Sequence, residues 1–326
     1  MKKKIAVCLS AVLAITTLAG STVFASTTET KKYEIGICQL VQHDALDAAT
    51  EGFMDAVKEG LGEENVEFDL QNASGDSATC STIINSFVAA NYDLILANAT
   101  APLQAAAQAT ADIPVLGTSV TDYASALDIK DWTGKTGYNV SGTTDLAPLK
   151  EQAAMVKELF PDAKKVGILY CTAEVNSVYQ ANIVTEELEA LGYEVTAYTF
   201  TDTNDIATVA QNACDNCDVL YTPTDNTVAS NAGVIDQIAR PAGVPIVCGD
   251  EGTCSGCGVA VLAISYYDLG YTTGKMAVDI LANGADITDM EVQSASEVTK
   301  EYNAEICADL GIEVPDDYVA IAASEE

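Results

Sequence analysis

The sequence predicts an α/β protein made of two doubly wound parallel-sheet lobes joined by a multi-segment hinge. Short, continuously apolar segments alternate with segments of helical period, the pattern of parallel strands covered on both faces by helices. That alternation runs through twice, which predicts two sheets. Further elements follow the second series, so the chain is expected to cross between the lobes more than once, as a closing clamp requires.

The elements follow in order along the chain. Residues 33–40 read as a strand and 46–57 as the helix after it. Short strands at 66–70, 94–97 and 115–117 are separated by helices near 77–90 and 102–111. A second series opens after residue 141, with helix 145–160, strand 165–170, helix 177–191 and strand 194–200. Helix 205–212, strand 219–221, helix 228–240 and strand 245–248 complete it. Leu146, Leu149, Ala153, Val156 and Leu159 step by three or four residues, as do Val184, Leu188 and Leu191, so one face of each helix turns inward. Residues 259–264 give one more strand, 266–281 one more helix, and 290–296 and 299–302 two further strands. The expected division is 1–25 as a signal peptide, 32–140 with 265–290 as the N-terminal lobe, and 141–264 with 291–326 as the C-terminal lobe.

The N-terminus predicts export. Lys2, Lys3 and Lys4 precede a fourteen-residue apolar run, Ile5 to Leu18, and Val23-Phe24-Ala25 offers a cleavage site before Ser26. A spanning helix needs about 20 apolar residues, so this run is short for an anchor. Leu18-Ala19-Gly20 would precede a lipid-accepting cysteine, but Ser21 stands there, so a released protein or one held by other contacts is expected. The whole chain carries a net charge of −33, and residues 26–326 carry −36. A surface of that sign repels nucleic acid, whose phosphates need Lys and Arg. With 48% hydrophobic residues in regular periodicity, the chain is nevertheless a folding one.

In open parallel sheets ligands sit beyond the carboxyl ends of the strands. The residues expected there are mostly polar and uncharged. Gln39, His43, Asn98, Thr100, Thr118 and Ser119 come from the first lobe, and Asn176, Ser177, Asp225, Asn226 and Asp250 from the second, with Gln42, Thr121, Glu174, Thr224 and Glu251 nearby. Several also begin helices, so capping is the competing reading for each. The only arginine is Arg240, away from every strand's carboxyl end. A ligand carboxylate would therefore rest on hydroxyls and backbone N–H groups, for which Thr100, Thr118 and Ser119 are the candidates. A ligand ammonium would need a carboxylate, and Asp225 is the candidate.

Catalytic constellations are not found. The single histidine leaves no His-rich metal site, and there is no G-x-S-x-G elbow or Walker loop. No catalytic residue, metal or cofactor is expected, and the chain is read as a binder and not an enzyme. The cysteines are the rival signal. Cys8 lies in the signal segment, leaving nine, with C-x-x-C pairs at Cys214/Cys217 and Cys254/Cys257. The 36 residues between Cys217 and Cys254 exceed the usual gap of about 15–20 for paired zinc motifs. Zinc, local disulfides and free thiols all stay open, with disulfides or thiols favoured.

Several runs carry a family resemblance. They are Ile35-Gly36-Ile37-Cys38-Gln39 leading to Ala45-Leu46-Asp47 and Gly52-Phe53; Gly142 followed by Asp145; Lys165 to Tyr170; Glu174 to Ser177; Thr222 to Ser230; and Tyr266-Tyr267 with Leu269-Gly270 and Gly274. Over roughly residues 33 to 315 the chain resembles the ABC-transporter substrate-binding family, whose known members bind aromatic amino acids such as tryptophan and phenylalanine. It departs at Asp44, where the family often has proline, and at Ser21. The resemblance implies the type I periplasmic-binding-protein fold, capture of a small zwitterion between the lobes, and delivery to an ABC permease with a cytoplasmic ATPase by an exported, monomeric protein. An aromatic ligand would want flat apolar walls, for which Leu46, Tyr138, Tyr170, Tyr221 and Tyr266 are candidates, Tyr170 being the one favoured as core. The alternatives are a sensory binding protein that presents its ligand to a receptor and, further off, a cysteine-based metal or redox protein.

Overall fold

A computed structural model describes residues 32–322 apart from residue 296. The expected signal segment and lipid-acceptor position lie outside the described residues. The first series is β1 (Tyr33–Gln39), α1 (Asp44–Leu61), β2 (Val66–Asn72), α2 (Ser77–Ala90), β3 (Leu94–Asn98), α3 (Thr100–Ala109), β4 (Val115–Val120), α4 (Tyr123–Ala126) and β5 (Val140–Thr144). The second is α5 (Leu149–Leu159), β6 (Lys165–Cys171), α6 (Val175–Ala190), β7 (Glu194–Phe200), α7 (Ile206–Asn216), β8 (Val219–Thr222), α8 (Asn226–Ala229), α9 (Ala232–Ala242), β9 (Ile246–Cys248), α10 (Glu251–Cys257) and β10 (Ala260–Ala263). The tail adds α11 (Tyr266–Leu281), β11 (Gln293–Ser294), β12 (Thr299–Tyr302), α12 (Ala304–Leu310) and β13 (Val319–Ala320).

Two sheets result. One has the order β11-β5-β4-β3-β1-β2, with parallel neighbours throughout. The other has β13-β12-β10-β9-β8-β6-β7, parallel except where β12 runs antiparallel to β10. The strand order reverses beside β1 in the first sheet and beside β6 in the second. A doubly wound sheet opens its ligand crevice at such a reversal. Ile35, Ile37, Leu94, Leu96 and Leu116 are buried on one face of the first sheet with Phe53, Val57 and Met276 from the helices that cover it. Cys38, Ile95, Ala97, Val115 and Val140 face the other way, onto Ile84, Phe87 and Leu103.

The chain crosses between sheets after β5, after β10 and after β11. Two expected boundaries therefore move. β5 pairs with β4, and β11 pairs with β5, so residues 141–144 and 293–294 belong to the first sheet and not to the C-terminal lobe. The reason is compositional. Val140-Ser141-Gly142-Thr143-Thr144 reads as a loop, yet it is buried because small residues let it lie close against β4. A Cβ on Gly142 would run into the Gly117 carbonyl oxygen. At the crossings, Ala147, Ile264, Tyr266 and Leu269 pack against Ala45 and Ala49 of α1.

Candidate functional site

A small cavity of about 10 Å³ lies between the lobes, beyond the carboxyl ends of the strands. That is room for about one water, so the lobes close tightly over the lining residues. The first lobe supplies His43 and Leu46 from the start of α1, and Ser119 and Thr121 from the end of β4. The crossings supply Asp145, which follows β5, and Tyr266, which opens α11. The second lobe supplies Asn176, Thr224, Asp225, Asn226, Ala229 and Asp250.

The lobes touch around this space. His43 Nε2 lies 3.2 Å from Asn226 Oδ1, and Gln180 of α6 donates to the Thr121 hydroxyl at 3.3 Å. Gly252, at the start of α10, lies against the first turn of α1, where a Cβ would stand in ordinary contact with Ala45 N at 3.5 Å. These contacts describe a shut clamp.

Three polar atoms lining the cavity are buried without a partner: His43 Nδ1, Ser119 Oγ and Asp145 Oδ1. Buried polar groups are nearly always paired, so each such atom calls for an explanation. Ser119 also sits at φ 55°, a left-handed conformation uncommon for a non-glycine residue. No lysine or arginine lines the cavity, while three aspartates do. Burial pushes the carboxyls of Asp145 and Asp225 above the usual range. Burial likewise lifts Asp250 to about 6, against hydrogen bonds from Thr253 and the proximity of His43, which favour its charge.

The three aspartates differ in what they have left to offer. Asp225 accepts from Val228 N at 2.8 Å and Cys171 N at 2.7 Å, so it caps α8 and pins β6. Asp250 accepts from Thr253 N at 2.8 Å and Thr253 Oγ1 at 2.7 Å, capping α10. Asp145 accepts from Tyr266 Oη on Oδ2 at 2.9 Å, the Thr121 side chain also favours its charge, and Oδ1 is left without a partner. Asp145 thus has an oxygen open to the cavity, whereas both oxygens of Asp225, the carboxylate expected to meet a ligand ammonium, are taken by backbone N–H groups.

Eight of the expected residues line the cavity: His43, Leu46, Ser119, Asn176, Asp225, Asn226, Asp250 and Tyr266. Six do not. Gln39 donates to Asp47 at 2.6 Å and accepts from Thr50 at 2.7 Å. Asn98 donates to Thr50 and, at 2.8 Å, to the Leu46 carbonyl, and so holds the backbone of a lining residue. Thr118 bonds Thr143 below the strand ends. Ser177 is fully buried beside Asn176, which donates to it at 3.3 Å. Thr100 faces a second, wider interlobe space of about 310 Å³. Tyr138 precedes β5, at the other end of the sheet, and is exposed. Of the candidate walls, Leu46 and Tyr266 face the cavity, whereas Tyr221 is buried in the second lobe with its hydroxyl on Gln152, and Tyr170 packs against the same core. Thr121 and Thr224, placed near the strand ends by the sequence, also line the cavity, as do Asp145 and Ala229, which sequence reasoning left out as site residues.

All nine cysteines among the described residues are free thiols, eight of them buried. Among the described residues no group of three or more His, Cys, Asp or Glu is arranged to hold a metal ion. Arg240 is engaged with Asp236, Glu305 and Asp309, on the outside of the second lobe.

Residues 34–326 match the family model described as ABC transporter substrate binding protein. The chain belongs to this family. This ABC transporter substrate-binding protein is 37% identical over 276 residues to the tyrosine-binding protein of Clostridioides difficile strain R20291, covering 83% of this chain and 79% of that one. Its fold is that of the ABC domain from Streptococcus pneumonia in complex with L-Trp, with a TM-score of 0.83, 32% identity, and coverage of 88% and 97%. A ligand-free, open substrate-binding protein with adhesive properties from Clostridium difficile gives a TM-score of 0.67 at 36% identity, over 89% and 99%. The fold is the type I periplasmic-binding-protein fold. The substrate-binding proteins of ABC transporters are extracytoplasmic, and among the described residues no helix is long and apolar enough to cross a membrane.

Proposed function

We propose that this substrate-binding protein captures an aromatic α-amino acid between its lobes and presents it to an ABC permease with a cytoplasmic ATPase. The observation that carries this reading is the set of unpartnered buried atoms in the cavity. Asp145 Oδ1 accepts from the ligand ammonium. Ser119 Oγ, with neutral donors around it, holds the ligand carboxylate in place of an arginine. Leu46 and Tyr266 flank the side chain. The relative named for tyrosine and the solved complex with L-Trp support the aromatic class. The higher TM-score to that complex than to the open, ligand-free relative, against the order of identity, supports a closed state as the one seen here.

The protein acts in this reading as an exported monomer with no catalytic role. Titration calorimetry of the purified protein against the twenty amino acids tests it. Tyrosine, tryptophan or phenylalanine should bind with a Kd of about 1 μM or tighter, near −8 kcal/mol. Silence from all three would end the reading.

A further inference from the structure

Glu174 decides which way Asn226 points. Its Oε2 accepts from Asn226 Nδ2 at 2.7 Å and from Asn226 N at 3.1 Å, while Oε1 accepts from Thr227 N at 2.8 Å and Thr227 Oγ1 at 2.7 Å. Turning the amide over would set its oxygen against a carboxylate, so the amide NH₂ faces Glu174 and Oδ1 faces the other lobe. Oδ1 meets His43 Nε2 at 3.2 Å. An acceptor there requires Nε2 to carry the proton, and a neutral imidazole with Nε2–H leaves Nδ1 as an acceptor. That Nδ1 is the buried, unpartnered atom lining the cavity. Although His43 sits at the N-cap of α1, its side chain caps nothing, so no local hydrogen bond competes for it.

We infer that His43 Nδ1 reads a hydrogen-bond donor on the ligand's side chain, so that the pocket selects aromatic amino acids carrying a phenol O–H or an indole N–H over phenylalanine. The inference rests on the proposed function. A ligand ammonium goes to the open anionic oxygen of Asp145, because a charge-assisted bond is the stronger one. That leaves the neutral ring nitrogen for a neutral donor. A ligand without one would strand Nδ1 in a closed site. Sites built to bond a substrate O–H or N–H discriminate strongly against analogues that lack it.

The chain has a single histidine, so ring-¹⁵N labelling gives one pair of nitrogen signals. The expected spectrum is that of the Nε2–H tautomer, with the Nδ1 signal shifting on saturation with L-tyrosine or L-tryptophan and holding still with L-phenylalanine. The unmodified protein should prefer tyrosine over phenylalanine by at least about tenfold in Kd. His43→Leu offers no acceptor at all, and should shrink that preference to about twofold or less. An Nδ1–H tautomer, an equal Nδ1 shift with phenylalanine, or an undiminished preference in H43L would overturn the inference. If all three amino acids bind alike, this inference alone fails; if none binds, the proposed function fails with it.

Discussion

Asp145 and Asp225 show how two buried carboxylates in one cavity take different work. Asp225 spends both oxygens on backbone N–H groups of its own lobe, so Asp225→Ala should lower the melting temperature through loss of the α8 cap, by about 0.5–2 kcal/mol. Asp145 keeps one oxygen open and carries a carboxyl that burial makes costly to ionise. Asp145→Asn should therefore leave the melting temperature of the empty protein unchanged or higher, while weakening amino-acid binding by roughly 2–5 kcal/mol, the range for removing one partner of a buried charge pair. Calorimetry and thermal melts on both variants check the contrast. Equal affinity in D145N and the unmodified protein would remove Asp145 as the anchor.

Among the elements, α1 and α11 make the tightest helix pairing in the first lobe. Gly52 and Gly270 permit it: a Cβ on Gly52 would strike the Tyr267 carbonyl oxygen, and one on Gly270 the Ala49 carbonyl oxygen. Backbone atoms cannot swing aside, so Gly270→Ala should destabilise by about 1–3 kcal/mol or more, seen as a drop in melting temperature of several degrees. An unchanged melt would mean that the helices separate without cost. The same scale explains what could be read ahead of the structure. Helix 266–281 and strands 194–200 and 299–302 were legible to the residue, because apolar period and flanking polar residues agree. β5 was not, since Ser, Gly and Thr form a strand here only by packing closely on β4. That omission also hid Asp145, which stands at the end of a strand the pattern does not reveal. The rule that ligands meet strand ends pointed to His43, Ser119, Asn176, Asn226 and Asp250, which line the cavity. It also pointed to Gln39, Asn98 and Thr118, which lie at or near the ends of their strands and whose side chains turn into the packing layers and bond Thr50 or Thr143.

At the scale of the whole molecule, shutting the clamp on an empty cavity buries Asp145, Asp225 and Asp250 with no lysine or arginine among the lining residues. A carboxyl whose pKa is raised by closure favours the closed form at low pH: the contribution is full below the ordinary value of 3.8 and is lost as pH rises through about 6, the value for Asp250. A ligand ammonium offsets the cost by placing positive charge among the carboxylates, which couples capture to closure. X-ray scattering should accordingly give a larger radius of gyration for the ligand-free protein at pH 8 than at pH 5. With saturating aromatic amino acid, the radius should be the same compact value at both. A ligand-free radius that does not respond to pH across that window would mean that the buried carboxylates do not hold the clamp apart.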